Sequence, residues 1–202
     1  MQHRAPSVVM GLIGHARSGK TTLVHGLAAL LPHAQAVSFG DVIRDRARQL
    51  GQDSTDRSVL VGLGQRWVDE DPGELCDAVL CRADATAHPL IIDGIRHRCI
   101  ADELAHQVRP RRLLIIYLDA PRHLLLQRLC AAGMTPPQAA TLLVDPTELE
   151  IDGPLKALAE LIVDATNSPA ANLQYLLDNL ARHGIETRPA AALDPAAGTL
   201  IP

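Results

Sequence analysis

The stretch GHARSGKT at residues 14–21 decides the fold. It matches G-x-x-x-x-G-K-[ST], the pattern of a loop whose backbone N–H groups point inward and surround phosphate groups. In this pattern the lysine, here Lys20, reaches the terminal phosphates, and the hydroxyl of the next residue, here Thr21, binds Mg²⁺. The sequence therefore predicts a nucleoside triphosphate site that uses Mg²⁺ as its cofactor.

The segments on both sides of this loop fit the same interpretation. SVVMGLI at residues 7–13 is a nearly continuous apolar run, typical of a strand buried on both faces of a parallel sheet. After the loop, Leu23, Leu27 and Leu30 recur at helical spacing, and Pro32 predicts the end of that helix. A strand, the loop and a helix follow one another, so the helix N-terminus is directed at the bound anion.

Strands and helices alternate along the rest of the chain. Further strands are predicted at 36–39, 89–93, 112–118 and 161–164, and helices at 40–50, 56–67, 72–83, 98–108, 121–131 and 169–183. This alternation favours a parallel sheet covered by helices, with ligands beyond the carboxyl ends of the strands. We expect the α/β class: a P-loop NTPase fold with three α/β/α layers, a five-stranded parallel sheet and a helical insertion that binds the acceptor.

The composition excludes several classes of function. The 202 residues include only four aromatic side chains and carry a net charge of −4, so neither a stacking platform nor a basic face for nucleic acid is expected. The polar start of the sequence and the short apolar run after it predict neither a signal peptide nor a membrane span. We expect a cytoplasmic protein, a monomer or homodimer, with no nucleic-acid or membrane partner.

The cysteines and histidines show no metal-binding spacing. The four cysteines form no C-x-x-C pair, and the nine histidines form no cluster. We expect reduced, mostly buried cysteines and no structural zinc.

The chain is predicted to form one domain over residues 1–186. A helical insertion is expected at about 52–86, a short lid at about 130–150, and a disordered tail at 187–202.

Two arginines follow predicted strand ends. They belong to SFGDVIR at residues 38–44 and IDGIR at residues 92–96, and are Arg44 and Arg96. Asp93 stands at a strand end, where a carboxylate can order Mg²⁺ and its waters. These residues are predicted to lie on the same edge of the sheet as the phosphate-binding loop.

The chain resembles the P-loop nucleoside monophosphate kinase group, in which G-D-x-x-R and D-G-x-x-R elements supply arginines to the acceptor phosphate. Arg44 fits the first element, and Arg96 stands one residue closer to its aspartate than the second element has it, because the proline of the adenylate kinase version is absent. It is most similar to phage-type deoxynucleoside monophosphate kinases and dephospho-CoA kinase-like proteins. ARSGK at 16–20, LGQRW at 63–67 and DATN at 164–167 carry this likeness. The resemblance implies an ATP-dependent kinase that acts on a nucleotide or another small-molecule acceptor.

The motifs and the resemblance together give a set of expected site residues. The catalytic residues are expected to be Lys20, Arg17, Arg128 and Asp93. The ATP-binding residues are expected to be Gly14, Ala16, Arg17, Ser18, Gly19, Lys20, Thr21, Thr22, Arg128 and Asn167. The acceptor-binding residues are expected to be Asp41, Arg44, Arg96, Phe39 and Trp67, and Mg²⁺ is expected at Thr21 and, through water, at Asp93.

Several of these residues, and His15 beside them, also have a simpler structural interpretation; Asp93, for example, fits a helix cap. Arg44 fits a solvated ion-pair face and Arg96 a solvated turn. Asp41 fits a helix cap, and Phe39 and Trp67 fit the core. His15 fits a variable position of the loop.

The predicted lid leaves the reaction open. Arg128 takes the place of the first lid arginine, but residues 130–144 contain no arginine or lysine. The first hypothesis is transfer of the γ-phosphoryl group to a nucleoside or deoxynucleoside monophosphate. The alternatives are a hydroxyl kinase of the dephospho-CoA kinase type, with Asp41 as the general base, and a slow nucleotide-binding switch without kinase activity.

Overall fold

A computed structural model describes residues 8–84, 89–145, 148, 150–183, 185 and 187. The disordered tail predicted for 187–202 lies outside the described residues except for Thr187.

Five parallel strands form one sheet within the described residues. They are β1 (Val8–Ile13), β2 (Gln35–Ser38), β3 (Leu90–Asp93), β4 (Arg112–Asp119) and β5 (Leu161–Asp164). Their order across the sheet is β2-β3-β1-β4-β5, and every neighbouring pair is parallel. The five-stranded parallel sheet predicted from the sequence is confirmed. Because β1 is central, the loop that follows it opens between β3 and β4, where the strand order reverses.

Helices cover both faces of the sheet. They are α1 (Lys20–Leu30), α2 (Phe39–Gln49), α3 (Arg57–Glu70), α4 (Pro72–Leu80), α5 (Arg98–Gln107), α6 (Arg122–Ala131), α7 (Pro136–Leu142) and α8 (Pro169–Arg182). A π-helical turn at Ile151–Leu155 and a 3₁₀ turn at Lys156–Leu158 precede β5. Neither α7 nor the π-helical turn was predicted, because both are shorter than the window of about 11–18 residues in which a helical period can be recognised.

The boundary between β2 and α2 differs from the prediction. The Ser38 hydroxyl accepts a hydrogen bond from the Gly40 N–H at 3.1 Å and caps α2. Phe39 is therefore the first residue of the helix and not the last of the strand, because the capping bond already turns the backbone there.

Two apolar cores lie on opposite sides of the sheet. One packs β-strand side chains against α4 and α5, through residues such as Leu75 and Leu104. The other packs them against α1 and α8, through residues such as Leu27 and Leu176. A smaller cluster joins α6 to α7 through Leu129 and Ala139 and forms the start of the predicted lid region.

Gly11 lets the loop after β3 pack closely on the central strand. A Cβ at this position would lie 2.8 Å from Cδ1 of Ile95 and 3.0 Å from Cδ1 of Ile115. The missing side chain makes room for Ile95, which is fully buried next to Arg96 in the sequence. A packing requirement in the core thus helps to hold the loop that carries Arg96.

The cysteines are less buried than predicted. Cys76 is buried and Cys130 is intermediate, but Cys81 and Cys99 are exposed, so the prediction is wrong for these two. Cys81 directly follows α4, and Cys99 lies in the first turn of α5, on sides of the helices that do not face the core.

Among the helices described here, none has the length and apolar character to cross a membrane.

The α8 packing gives a test of the second core. Leu176 is fully buried, whereas the neighbouring Tyr175 is 43% exposed. Leu176→Ala should lower the free energy of unfolding by about 3 kcal/mol, because it leaves a cavity against α1. Tyr175→Ala should change it by less than about 0.5 kcal/mol. Urea denaturation of both variants measures this, and equal losses would contradict the described face of α8.

Candidate functional site

The phosphate-binding loop joins β1 to α1 in a conformation that needs its glycines. Gly14 has a φ of 153°, and a Cβ there would lie 3.0 Å from the Leu118 carbonyl oxygen. Gly19 adopts a left-handed conformation with a φ of 107° just before the first residue of α1. Both positions therefore favour glycine for its backbone freedom, and Gly14 also for the close approach of β4.

Lys20 lies across the mouth of this loop. Its Nζ donates hydrogen bonds to the carbonyl oxygens of Gly14 at 2.6 Å and His15 at 2.8 Å. Burial lowers the pKa of Lys20 to about 8, although the nearby Asp93 carboxylate favours the charged form. The ammonium group is thus held beside the inward-facing backbone, where a phosphate group would meet it.

Asp93 and Thr21 provide oxygen atoms next to Lys20. Asp93 ends β3, and its buried Oδ1 has no hydrogen-bond partner among the described residues. Burial raises the pKa of this carboxyl group, despite the opposing effect of Lys20. Thr21 lies in the exposed first turn of α1. A carboxylate and a hydroxyl beside a phosphate site are the donor set that Mg²⁺ uses, so these residues fit the ion.

No cluster of three or more His, Cys, Asp or Glu residues that could hold a metal by itself occurs within the described part of the chain.

His15 is a central member of the site, which the sequence did not predict. Its Nδ1 lies 2.8 Å from Glu148 Oε2 and its Nε2 lies 2.7 Å from Asp152 Oδ1. Burial lowers the pKa of His15, but the hydrogen bonds to these two carboxylates outweigh burial and raise it. The interpretation of His15 as a variable loop position is wrong, because the side chain is buried and bridges two acidic residues.

Glu148 is fully buried at the centre of a group of donors. It accepts hydrogen bonds from His15, from Arg96 and from the Ala16 N–H at 3.3 Å, and Arg57 Nη2 lies 3.6 Å away. Burial raises the pKa of Glu148, but His15 and Arg96 overcome this and lower it to about 2. No motif marks this glutamate in the sequence, so its role emerges only from the fold.

A second carboxylate extends the network to the sheet. Asp152, in the π-helical turn, accepts a hydrogen bond from the Tyr117 hydroxyl at 2.7 Å as well as facing His15. Burial raises the pKa of Tyr117, and the bond to Asp152 raises it further. The phosphate-binding loop is thereby linked to β4 through side chains, in addition to the backbone pairing of β1 with β4.

Glu148, Glu150 and Asp152 are together called the acidic segment. Its two glutamates contact the basic run 96–98 that follows β3. Glu150 lies 3.0 Å from His97 Nδ1 and accepts the Arg98 N–H at 2.9 Å, next to the contact of Glu148 with Arg96. The predicted lid therefore ends in carboxylates that contact the run after β3, whereas the resemblance implies arginines in a lid.

A cavity of about 560 Å³ lies on the side of α2 and α3. Of the predicted acceptor residues, it is lined by Phe39, Arg44 and Arg96; Arg17 and Arg57 add two further guanidinium groups. Its apolar wall consists of Ile43, Leu60, Val61, Val68, Leu75 and Ile100. Arg57 was not predicted, because a single arginine at a helix start has no distinguishing sequence pattern.

Two predicted acceptor residues do not line this cavity. Trp67 donates its Nε1–H to Glu74 at 3.1 Å, and Arg46 lies 5.7 Å from its ring centroid. The cavity face of α3 is formed by residues 60, 61, 64, 65 and 68, so helical periodicity turns Trp67 away. Asp41 is exposed and accepts a 2.6 Å bond from Arg44, where it positions that arginine.

A second cavity, of about 260 Å³, lies on the other side of the loop. It brings together the predicted ATP-binding residues Arg17, Ser18, Gly19, Thr22, Arg128 and Asn167. Arg128 donates to the carbonyl oxygens of Ser18 at 2.9 Å and Ala165 at 3.0 Å, and so ties the loop to the end of β5. Arg17 lines both cavities and marks their junction.

A family model described as an AAA domain matches residues 10–148 of this chain. The chain belongs to the AAA domain family. The matched part of this AAA domain begins in β1 and ends at Glu148, so it includes the phosphate-binding loop and the lining of the larger cavity. No curated protein sequence matches the chain.

Solved structures of two kinases and of a resistance protein share the fold of this AAA domain. Shikimate kinase from Bacteroides thetaiotaomicron matches with a TM-score of 0.57 at 18% identity, over 86% of this chain and 98% of that one. The tunicamycin resistance protein of Deinococcus radiodurans gives 0.55 at 16% identity, over 91% and 99%. Gluconokinase from Sinorhizobium meliloti 1021 gives 0.52 at 19% identity, over 89% and 94%. The chain therefore has a P-loop kinase fold.

The Glu148 network predicts an acid-sensitive stability. In the unfolded chain the Glu148 carboxylate takes up a proton near its ordinary pKa of 4.5, whereas in the folded protein its pKa is about 2. Its stabilising contribution is complete above pH 4.5 and is lost as the pH falls through about 2. The free energy of unfolding should lose about 3 kcal/mol from this group over that range.

The free energy of unfolding of the wild type and of Glu148→Gln is measured by urea denaturation from about pH 6 to about pH 2. The stability difference between the two proteins should shrink as the pH falls. Glu160→Gln, which removes a surface partner of Arg112, is the control and should keep the wild-type pH dependence. A constant difference between wild type and Glu148→Gln would contradict the ionised, buried carboxylate.

Proposed function

We propose that the protein is an ATP- and Mg²⁺-dependent kinase that transfers the γ-phosphoryl group to a nucleoside or deoxynucleoside monophosphate. The observation that carries the proposal is the pair of cavities that meet at the phosphate-binding loop, with Arg17 lining both. Phosphoryl transfer needs a donor and an acceptor brought into line with cations around both, and this arrangement supplies that geometry.

The smaller cavity is the proposed donor site. The loop N–H groups and Lys20 would hold the phosphates, and the cavity bordered by Arg128 and Asn167 would take the rest of ATP. Lys20 must be protonated to do this, and its pKa of about 8 keeps the group largely charged at neutral pH.

Thr21 and Asp93 would hold Mg²⁺, Thr21 directly and Asp93 through water. When bound, the ion neutralises charge on the phosphates. The chain's own residues would do the rest: the loop would orient the phosphates, Lys20 and Arg17 would offset negative charge near the junction of the cavities, and Asp93 Oδ1, which has no partner among the described residues, could accept a hydrogen bond.

The larger cavity is the proposed acceptor site. Arg44, Arg57 and Arg96 supply guanidinium groups suited to a phosphate monoester, which they can bind through two N–H groups at once. Phe39 and the apolar wall fit the flat, less polar remainder of a nucleotide. A phosphate acceptor is ionised and nucleophilic near neutral pH, so the transfer needs no general base.

A hydroxyl kinase is the second candidate. The solved structures with a similar fold include proteins named as shikimate kinase and gluconokinase. For a hydroxyl acceptor, Asp93 is placed better than Asp41 to accept a proton, because its buried Oδ1 has no partner in the described part of the chain whereas Asp41 is exposed and paired with Arg44. A dephospho-CoA type of acceptor belongs to this class.

A survey of acceptors tests the two candidates. The purified protein is given ATP, Mg²⁺ and single acceptors from three groups: ribonucleoside monophosphates, deoxyribonucleoside monophosphates and small hydroxyl compounds including dephospho-CoA, shikimate and gluconate. ADP formation above the acceptor-free rate is measured. We expect the signal with a nucleoside monophosphate, and a signal only with a hydroxyl compound would select the second candidate.

Lys20→Ala is the matched inactive variant in this survey. It should lower kcat/KM by at least about 100-fold, because the loop loses its phosphate cation. If no acceptor produces ADP while wild-type protein still binds ATP by calorimetry, the kinase proposal fails and a nucleotide-binding switch remains.

Arg57 and Arg66 give a paired test of the acceptor cavity. Both lie on α3, but Arg57 lines the larger cavity and Arg66 points to the opposite face beside Trp67. Arg57→Ala should raise the acceptor KM about 10-fold and leave the KM for ATP within about 2-fold. Arg66→Ala should leave both within about 2-fold. Steady-state kinetics checks this, and similar effects of the two changes would argue against an acceptor in this cavity.

A further inference from the structure

We propose that Glu148 is a positioning residue that fixes the acceptor-side Arg96 against the phosphate-binding loop, with doubly protonated His15 as its counter-charge. This inference rests on the proposed kinase function, because it assigns Arg96 to the acceptor.

Glu148 acts through other groups and not on substrate. It is fully buried, and both of its carboxylate oxygens are engaged: Oε1 with Arg96, and Oε2 with His15 Nδ1 and the Ala16 N–H. A carboxylate in this state has neither exposure nor a free oxygen to offer a ligand. Glu148 also links Arg96 to His15, and the loss of either partner would leave part of the buried Glu148 charge uncompensated.

Arg96 keeps binding capacity after this contact. Its side chain is 31% exposed and lines the larger cavity, while only its Nη1 is bonded to Glu148. A guanidinium group has five N–H donors in one plane, so fixing one edge orients the remaining donors. Glu148 therefore sets the direction in which Arg96 presents itself to an acceptor anion.

His15 connects this arginine to the loop. Both of its ring nitrogens face carboxylate oxygens, and only the imidazolium form donates from both. A neutral ring would place a lone pair against one carboxylate. Since His15 belongs to the loop itself and Lys20 bonds to its carbonyl oxygen, the position of Arg96 is linked to the position of the phosphate cation.

The charges that face this cluster come from several elements. Asp152 lies on the far side of the ring and also accepts from Tyr117 of β4, while Arg57 of α3 approaches Glu148 at 3.6 Å. Lys20 and Asp93 lie beside the loop. Glu148 and Asp152 offset Arg96 and His15, and Asp41 pairs with Arg44, so Arg17 and Arg57 add further positive charge to the larger cavity.

The opposite role, in which Glu148 occupies the acceptor anion's place and blocks it, predicts the opposite result. Substitution of a blocking carboxylate should raise turnover, whereas substitution of a positioning carboxylate should lower it.

The first test needs no catalytic activity. The protein is labelled with ¹⁵N at histidine and arginine side chains, and the His15 and Arg96 signals are assigned by their loss in His15→Gln and Arg96→Lys. We expect the wild-type His15 ring to carry protons on both nitrogens at neutral pH, and the Arg96 guanidinium to rotate slowly. A singly protonated His15, or an Arg96 signal that does not change in Glu148→Gln, would overturn the proposal.

The second test compares two glutamates of the same acidic segment. Glu148→Gln should lower kcat at least about 10-fold and raise the KM for the nucleoside monophosphate with the highest turnover in the survey, with the KM for ATP within about 3-fold. Glu150→Gln, which removes the contact with His97 instead, should change each constant less than about 3-fold. Increased turnover in Glu148→Gln, or equal losses in the two variants, would overturn the proposal.

A double variant distinguishes positioning from general destabilisation. Thermal unfolding is recorded for each protein, and kinetics are measured at a temperature at which all remain folded. His15→Gln combined with Glu148→Gln should lose no more than about 2-fold beyond the larger single effect, because both act through one network. Additive losses would overturn the linkage. If the wild type has no turnover with any acceptor, the proposed function fails, while the NMR experiment still decides whether Glu148 orients Arg96.

Discussion

The phosphate-binding loop places the strictest demand on this fold. Its N–H groups must converge on one point, so the chain must enter from a rigid strand and leave into a helix at a fixed angle. The central position of β1 meets this demand, because β3 and β4 hold it on both sides. Two sets of site residues then follow strands on one side of β1: Asp93 and Arg96 follow the adjacent β3, and the α2 residues follow β2, one strand further out.

Charge is distributed according to the same geometry. The chain has a net charge of −4, yet arginines line the larger cavity while a buried glutamate and an exposed aspartate contact the loop histidine. Burial makes these contacts strong, because a carboxylate away from water depends on its donors. The acidic residues thus contact the cationic groups directly, and Arg17, Arg57 and Arg128, from the loop, α3 and α6, line the two cavities.

Particular residues show how far the sequence could be interpreted. The loop, the five strands and the placement of Arg44 and Arg96 after strand ends were predicted, because each depends on a contiguous motif or on a short period. The side of α3 that faces the cavity was not, and Trp67 proved to point away from it towards Arg46 and Glu74. A period identifies a helix, but only its packing partners select which face covers a ligand cavity.

The sequence by itself determined the phosphate-binding loop and the parallel α/β class, since both are encoded in residues that are neighbours along the chain. Tertiary structure alone decided the partners of His15, because Glu148 lies 133 residues further along and meets it only in the folded chain. Helix packing likewise places Arg57 in the lining of the cavity that Arg96 also lines. Such contacts depend on the burial of charge in three dimensions, for which a local sequence pattern carries no signal.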